Sequence, residues 1–153
     1  MINIRQARID EVEKLQFLDN EVFIHDVEFD KDLNMDWAKS ETGKAHFLKL
    51  LNNPESYCLI AEDNDKAVGY LVASSKEISY RKSRCTEIQN MGVSPDYRSQ
   101  GIGSMLIQNC LEWAKIKGYQ KVYVSAYFGN KDAIKFYKKN GFLEIDLGLE
   151  VDL

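Results

Sequence analysis

The sequence predicts a mixed α/β domain with elements in the order β-α-α-β-β-β-α-β-α-β. Three observations carry this. The chain has 153 residues, 44% hydrophobic and 29% charged, the balance of one folded domain with a sizeable core. Period-two and helical apolar patterns take turns along it. The second, third and fourth strands follow one another without a helix between them, whereas the later ones are separated by helices. That change marks a meander passing into parallel crossovers.

Ile2 to Ile9 alternates through Ile2 and Ile4 and reads as the first strand. Asp10 is the expected N-cap of a helix, because Glu11 and Glu13 sit in its first turn and Val12, Leu15, Leu18 and Val22 recur at helical spacing. Residues 25–36 are acidic and aperiodic, so a loop is expected there. A second helix is expected from Trp37 to Leu51, ended by Asn52-Asn53-Pro54. Strands follow at Tyr57 to Glu62 and Ala67 to Ser74, joined by a hairpin turn at Asp63-Asn64-Asp65-Lys66. A strand at 85–93, a helix at 104–117 closed by Gly118, and a strand through Val122, Val124 and Ala126 come next. Asn130 to Asn140 reads as a short helix closed by Gly141. Phe142 to Val151 reads as a last strand.

Composition narrows the function classes. The net charge of −4 hides an asymmetry: residues 1–65 hold 7 basic and 15 acidic side chains, and residues 97–141 hold 8 basic and 2 acidic. That split suits a polyanionic ligand at one end of the molecule and a cationic one at the other. An acidic chain argues against non-specific nucleic-acid binding. No apolar run is long enough to span a membrane, and Met1-Ile2-Asn3-Ile4-Arg5 does not resemble an export signal. Cys58, Cys85 and Cys110 form no CxxC pair, and His25 and His46 have no metal-ligand spacing to them. The expectation is three reduced packing cysteines, a cytoplasmic location and no metal.

The chemistry concentrates at Arg98-Ser99-Gln100-Gly101-Ile102-Gly103-Ser104, where strand 85–93 passes into a helix. Amides at a helix start lack intrahelical partners and carry positive partial charge, so they suit a phosphate. A dinucleotide fingerprint fails, because Leu106 stands where its third glycine is needed and Ser125-Ala126-Tyr127 supplies no acidic residue. A P-loop fails because no Gly-Lys-Ser/Thr follows.

The stretch Arg98–Gly103 resembles the [Q/R]-x-x-G-x-[G/A] signature of the GCN5-related N-acetyltransferases. The strand before it, Asn90-Met91-Gly92-Val93-Ser94-Pro95, is similar to their fourth strand and its exit. Asn130-Lys131-Asp132-Ala133-Ile134-Lys135-Phe136-Tyr137, ending in Asn140-Gly141-Phe142, resembles their N-x-x-A-x-x-[FL]-Y-x-x-x-G-F segment. The likeness is specific over residues 85–143; residues 1–84 agree only in element order. It implies one domain over 1–153, with a central mixed six- or seven-stranded sheet flanked by about four helices. It also implies an acetyl-CoA-dependent transfer to an amine.

Under that resemblance, Arg98, Ser99, Gln100, Gly101, Ile102, Gly103 and Ser104 hold the diphosphate of acetyl-CoA. Met91 and Val93 pair with pantetheine, and Gly92 supplies a bulge that splays the strand. Asn130, Ala133 and Tyr137 share one helical face and line the cofactor. Tyr137 is the expected general acid toward the leaving thiolate, since a phenol is protonated at neutral pH. Glu87 is the candidate base; in a regular strand it shares a face with Gln89, Met91 and Val93. His25 and Asp26 are weaker alternatives, as is Tyr80. With Glu28 they are the residues expected to face the acceptor, a small cationic amine or a peptide amine. A non-catalytic acyl-CoA-binding module is the rival reading. Either a monomer or a homodimer fits.

Overall fold

The computed structural model describes residues 1–153. Five strands form one sheet in the order β1 (Ile2–Gln6), β2 (Tyr57–Asp63), β3 (Lys66–Lys76), β4 (Cys85–Val93) and β5 (Lys121–Val124). The first four pair antiparallel, and β5 pairs parallel to β4. Helices α1 (Val12–Asp26) and α2 (Glu41–Leu51) cover one face. Helices α3 (Ile102–Ile116) and α4 (Lys131–Lys139) cover the other.

Local chemistry sets the boundaries. The β2–β3 hairpin turns through Asn64 and Asp65, both left-handed at φ 49° and 68°, a geometry that follows the sheet's twist and that Asn and Asp tolerate. Before α1 comes a tight turn over Ile9–Glu11. The capping carboxylate is that of the buried Glu11, which accepts the Arg8 N–H at 2.9 Å, and not that of the predicted Asp10. Arg5 on β1 forks onto Glu11 at 2.7 and 2.8 Å and also bonds Glu62, so one guanidinium ties strand to helix entry. The predicted second helix divides. Trp37–Lys39 is a separate turn, and Ser40 starts α2 by accepting the Gly43 N–H at 3.0 Å.

Two cores sandwich the sheet. Leu59, Leu71, Ile88, Leu106 and Ile107 fill the α3 side, and Leu15, Phe47, Ile60, Tyr70 and Val72 fill the α1–α2 side.

Two expectations fail. The sheet has five strands, not six or seven, because residues 143–153 form no strand. No backbone hydrogen bond is made beyond the one from Phe142 N–H to the Tyr137 carbonyl. The period-two pattern is present there, but nothing in the chain pairs with it.

The irregularity in β4 also lies elsewhere. Gly92 pairs regularly with Tyr70, and the extra residue is Gln89, between Val72↔Asn90 and Ala73↔Ile88. Gly92 is instead small because α1 lies on it: a Cβ there would come within 2.4 Å of Val22 Cγ2. The bulge resets parity. Ile88 before it, and Met91 and Val93 after it, all pack on the α3 core. Glu87 therefore faces away from Met91 and Val93, against the regular-strand expectation.

Candidate active site

Pairing between β4 and β5 stops at Ile88↔Val124. From Gln89 to Val93 the outer edge of β4 has no strand partner, and the two strands part. Met91 shows the vacancy: its N–H turns to the Asn90 side-chain oxygen at 3.0 Å.

Below that opening lies the loop into α3. Gly101 caps the helix in the left-handed region, at φ 82°, and Ser99 is left-handed as well, at φ 60°. The N–H groups of residues 99–104 donate to no backbone carbonyl. Nothing stands within 4 Å of where a Gly101 side chain would begin. Six amides without a backbone partner, with open space beside Gly101, suit a diphosphate. Arg98 donates through Nε to the Val93 carbonyl at 3.0 Å, which pins the loop to the strand end, and its side chain is otherwise exposed. Gly103 has a second reason to be small: an added Cβ would lie 2.9 Å from the Phe136 ring of α4. Ile102 is buried in the core, so only its main chain is available, and Ser104 is half-buried.

On α4, Asn130 caps the helix by accepting the Ala133 N–H at 3.1 Å. Its side-chain oxygen is therefore used, and its amide nitrogen remains for a ligand. Tyr137 packs edge-on against Phe136 and Phe142. Burial, with the charge of Asp26 behind it, pushes its phenol up to about 12.

The opposite face of β4 holds what the sequence reading missed. Asp19, Val22 and Asp26 form one stripe of α1, at i, i+3 and i+7. The fully buried Asp19 accepts from Tyr70 Oη at 2.7 Å and from Asn90 Nδ2, both on Oδ1. Its Oδ2 is buried without a partner. Burial is the main cause lifting this carboxyl to about 6, and Asp26 adds to it. Asn90 thus joins the buried carboxylate on one side to the Met91 amide on the other. Beside Asp19 a cavity of about 230 Å³ is walled by Phe23, Trp37, His46, Phe47 and Gln89. Trp37 stacks on Phe23 at 5.9 Å and meets His46 edge-on at 5.4 Å. A polar residue on the apolar stripe of a helix was the available signal for Asp19.

The other candidates are scattered. Glu87 pairs with Lys76 at 3.4 Å, and Lys76 covers the Tyr123 ring. Asp26 is half-buried, and burial raises its pKa. His25 is exposed, 3.4 Å from Asp26 and tilted on Phe29. Glu28 and Tyr80 are exposed. The acidic loop reaches the far half of the chain through Tyr127, which donates to Asp30 at 2.8 Å and stacks on Phe29.

The sequence pattern of the acetyltransferase (GNAT) family matches residues 16–142. The chain belongs to that family. As a GNAT chain it is 35% identical over 109 residues to an uncharacterized N-acetyltransferase of Methanocaldococcus jannaschii. That match covers 71% of this chain but only 48% of the relative, so the chain spans about half the relative's length. It is 28% identical over 144 residues to the uncharacterized N-acetyltransferase YhfO of Bacillus subtilis, covering 94% of this chain and 91% of that one. Two solved structures share the GNAT fold. One is a mutant of the BH1408 protein from Bacillus halodurans (TM-score 0.87, 19% identity, 99% of each chain). The other is the aminoglycoside N-acetyltransferase AAC(6′)-Iy in complex with CoA (TM-score 0.76, 18% identity, 99% and 98% of the two chains). No helix of the chain is long and apolar enough to cross a membrane.

Proposed function

We propose that this protein is an acetyl-CoA-dependent N-acetyltransferase, one domain over residues 1–153, that transfers acetyl directly to a small cationic amine. The observation that carries this is the run of free amides at 99–104 beside the open edge of β4. The amides and Arg98 hold the diphosphate, and the β4 edge at Met91 and Val93 pairs with pantetheine. Asn130 and Ala133 line its other side.

The amine nitrogen attacks the thioester carbonyl carbon. The oxyanion that forms is bonded by the Met91 N–H once Asn90 releases it. Collapse breaks the C–S bond, and Tyr137 gives its proton to the departing thiolate; with the phenol near 12 it is fully protonated at neutral pH. A carboxylate takes the proton the amine loses. Glu87 and Asp26 both face the acceptor side, and Asp26 is favoured because its charge already acts on Tyr137. Cys85 and Cys110 are buried with raised pKa, which supports direct attack over a covalent acyl-enzyme. Three free, buried cysteines also support a reducing, cytoplasmic setting.

The acceptor is read from Asp19. A buried, half-satisfied carboxylate among aromatic rings suits an ammonium group. The structural neighbour that acetylates aminoglycosides is a further example of an amine acceptor on this fold.

The test is release of free CoA from acetyl-CoA over a panel of polyamines, aminoglycosides, amino-acid amides and peptides. Turnover with small cationic amines is expected. Tight acetyl-CoA binding with no release on any amine would favour the binding-module reading instead.

A further inference from the structure

We propose that Asn90 is a positioning residue that couples the two sites. Its side-chain amide latches the Met91 N–H to Asp19, so that a cation on Asp19 and a thioester oxygen on Met91 each release it for the other. The inference rests on the transferase reading above and names what frees that N–H. Both bonds sit on one planar amide: Nδ2 donates to Asp19 Oδ1, and Oδ1 accepts the Met91 N–H at 3.0 Å. The partners fix which way the amide faces, since an ionised carboxylate only accepts and a backbone N–H only donates.

The strand edge makes this latch possible. β5 stands beside β4 from Cys85 to Ile88, and the pairing ends at Ile88↔Val124. Beyond it the Met91 N–H has no strand to donate to, and the preceding side chain takes that place. Few residues serve here. The side chain must be short enough to reach the next amide and must offer a donor and an acceptor at once. Ionised aspartate has no donor, and leucine has neither group.

The other end of the latch is equally constrained. Asp19 is only 1% exposed, and its Oδ2 is buried without a partner. Asn90 and Asp19 line the same cavity of about 230 Å³. A cation entering it reaches the carboxylate by taking the place of the neutral Asn90 donor, and a charged donor bonds roughly twice as strongly. Tyr70 Oη, at 2.7 Å on the same oxygen, keeps the carboxylate in place meanwhile. The amide swings as one rigid piece, so losing Asp19 loosens its hold on Met91. The two ligands therefore share one cost. Whichever binds first unlatches Asn90, and the second meets a strand already opened, a coupling that is positive and reciprocal.

Calorimetry tests the latch without turnover. Asn90→Ala is expected to bind acetyl-CoA about tenfold more tightly than the native chain, and CoA, which lacks the carbonyl, equally well. Loss of a residue that merely supported the strand would weaken both ligands or neither. Trimethylammonium is a charged donor that cannot be acetylated to an amide. At a concentration that saturates its change in Trp37 fluorescence, it is expected to tighten acetyl-CoA about tenfold in the native chain and not at all in Asn90→Ala. Binding of acetyl-CoA with no gain in Asn90→Ala overturns the latch and leaves the transferase reading standing. A native chain that binds neither acetyl-CoA nor CoA overturns that reading, and the latch with it. Should Asn90→Ala not fold, the native chain decides. Its Asn90 side-chain amide resonances are expected to shift on adding acetyl-CoA and not on adding CoA, and resonances that stay fixed with acetyl-CoA bound overturn the proposal.

Discussion

The two sides of β4 are built by opposite means. On the α3–α4 side the proposed donor site is mostly main chain: free amides at 99–104, a strand edge at Met91 and Val93, and one phenol. On the α1–α2 side the proposed acceptor site is all side chain: a buried carboxylate, two amides, and rings drawn from both helices and the loop between them. A main-chain site tolerates many sequences as long as its glycine turn survives. A side-chain site changes its ligand with each substitution. One sheet can therefore hold a fixed donor against an adaptable acceptor.

The contrast breaks most sharply at Gly101. Gly101→Val forces a branched side chain into φ 82° and into the anion's space, and should weaken acetyl-CoA binding by more than about 100-fold in calorimetry. The acceptor pocket, probed by ligand-induced change in Trp37 fluorescence, should be untouched. Next comes Tyr137→Phe. Acetyl transfer should slow by about 100-fold while acetyl-CoA affinity stays within a factor of two. Loss of both together would mean the ring only packs.

Asp19→Asn tests the other side. It should raise the acceptor KM by about tenfold and leave the acetyl-CoA KM alone. With its carboxyl at about 6, Asp19 is charged at neutral pH, and acceptor KM in the native protein should climb as pH falls below 6. Stability moves the opposite way. A carboxyl whose folded pKa is raised burdens the fold above that pKa and ceases to do so as pH falls through the unfolded value near 4. Asp19→Asn should then gain roughly 2 kcal/mol at pH 7.5, with the gain fading by pH 4, in urea unfolding at both pH values. The smallest effect is at the contact between the halves. Gly92→Ala pushes a methyl into Val22 and should cost about 1–3 kcal/mol of stability, with both KM values shifting only slightly.

These two sides were not equally legible. The donor loop could be read because its function requires glycine at a fixed place between a strand and a helix, and local order carries that. Element order was legible for the same reason, including the left-handed turn at Asn64-Asp65. The acceptor pocket was not, because Asp19, Trp37, His46 and Asn90 meet only through the packing of α1 and α2 on β3 and β4. The face of Glu87 was misread since a bulge leaves no mark in an alternating strand, and Gly92 drew attention from Gln89. Residues 143–151 satisfied every local requirement of a strand. What they lack is a neighbour, and no single chain's sequence states where a neighbour will come from.

The surplus residue at Gln89 has a consequence for how this protein tolerates change in length. It acts as a half-turn in a ribbon, so that Ile88 and Met91 show on one side while Glu87 and Asn90 show on the other. Without Gln89, Ile88 and Asn90 would stand opposite Ala73 and Val72 in ordinary register, with Asn90 and Met91 on their present faces and only the local kink lost. The bulge is therefore the place where β4 can lose one residue and still keep its two ligands on opposite sides of a single strand.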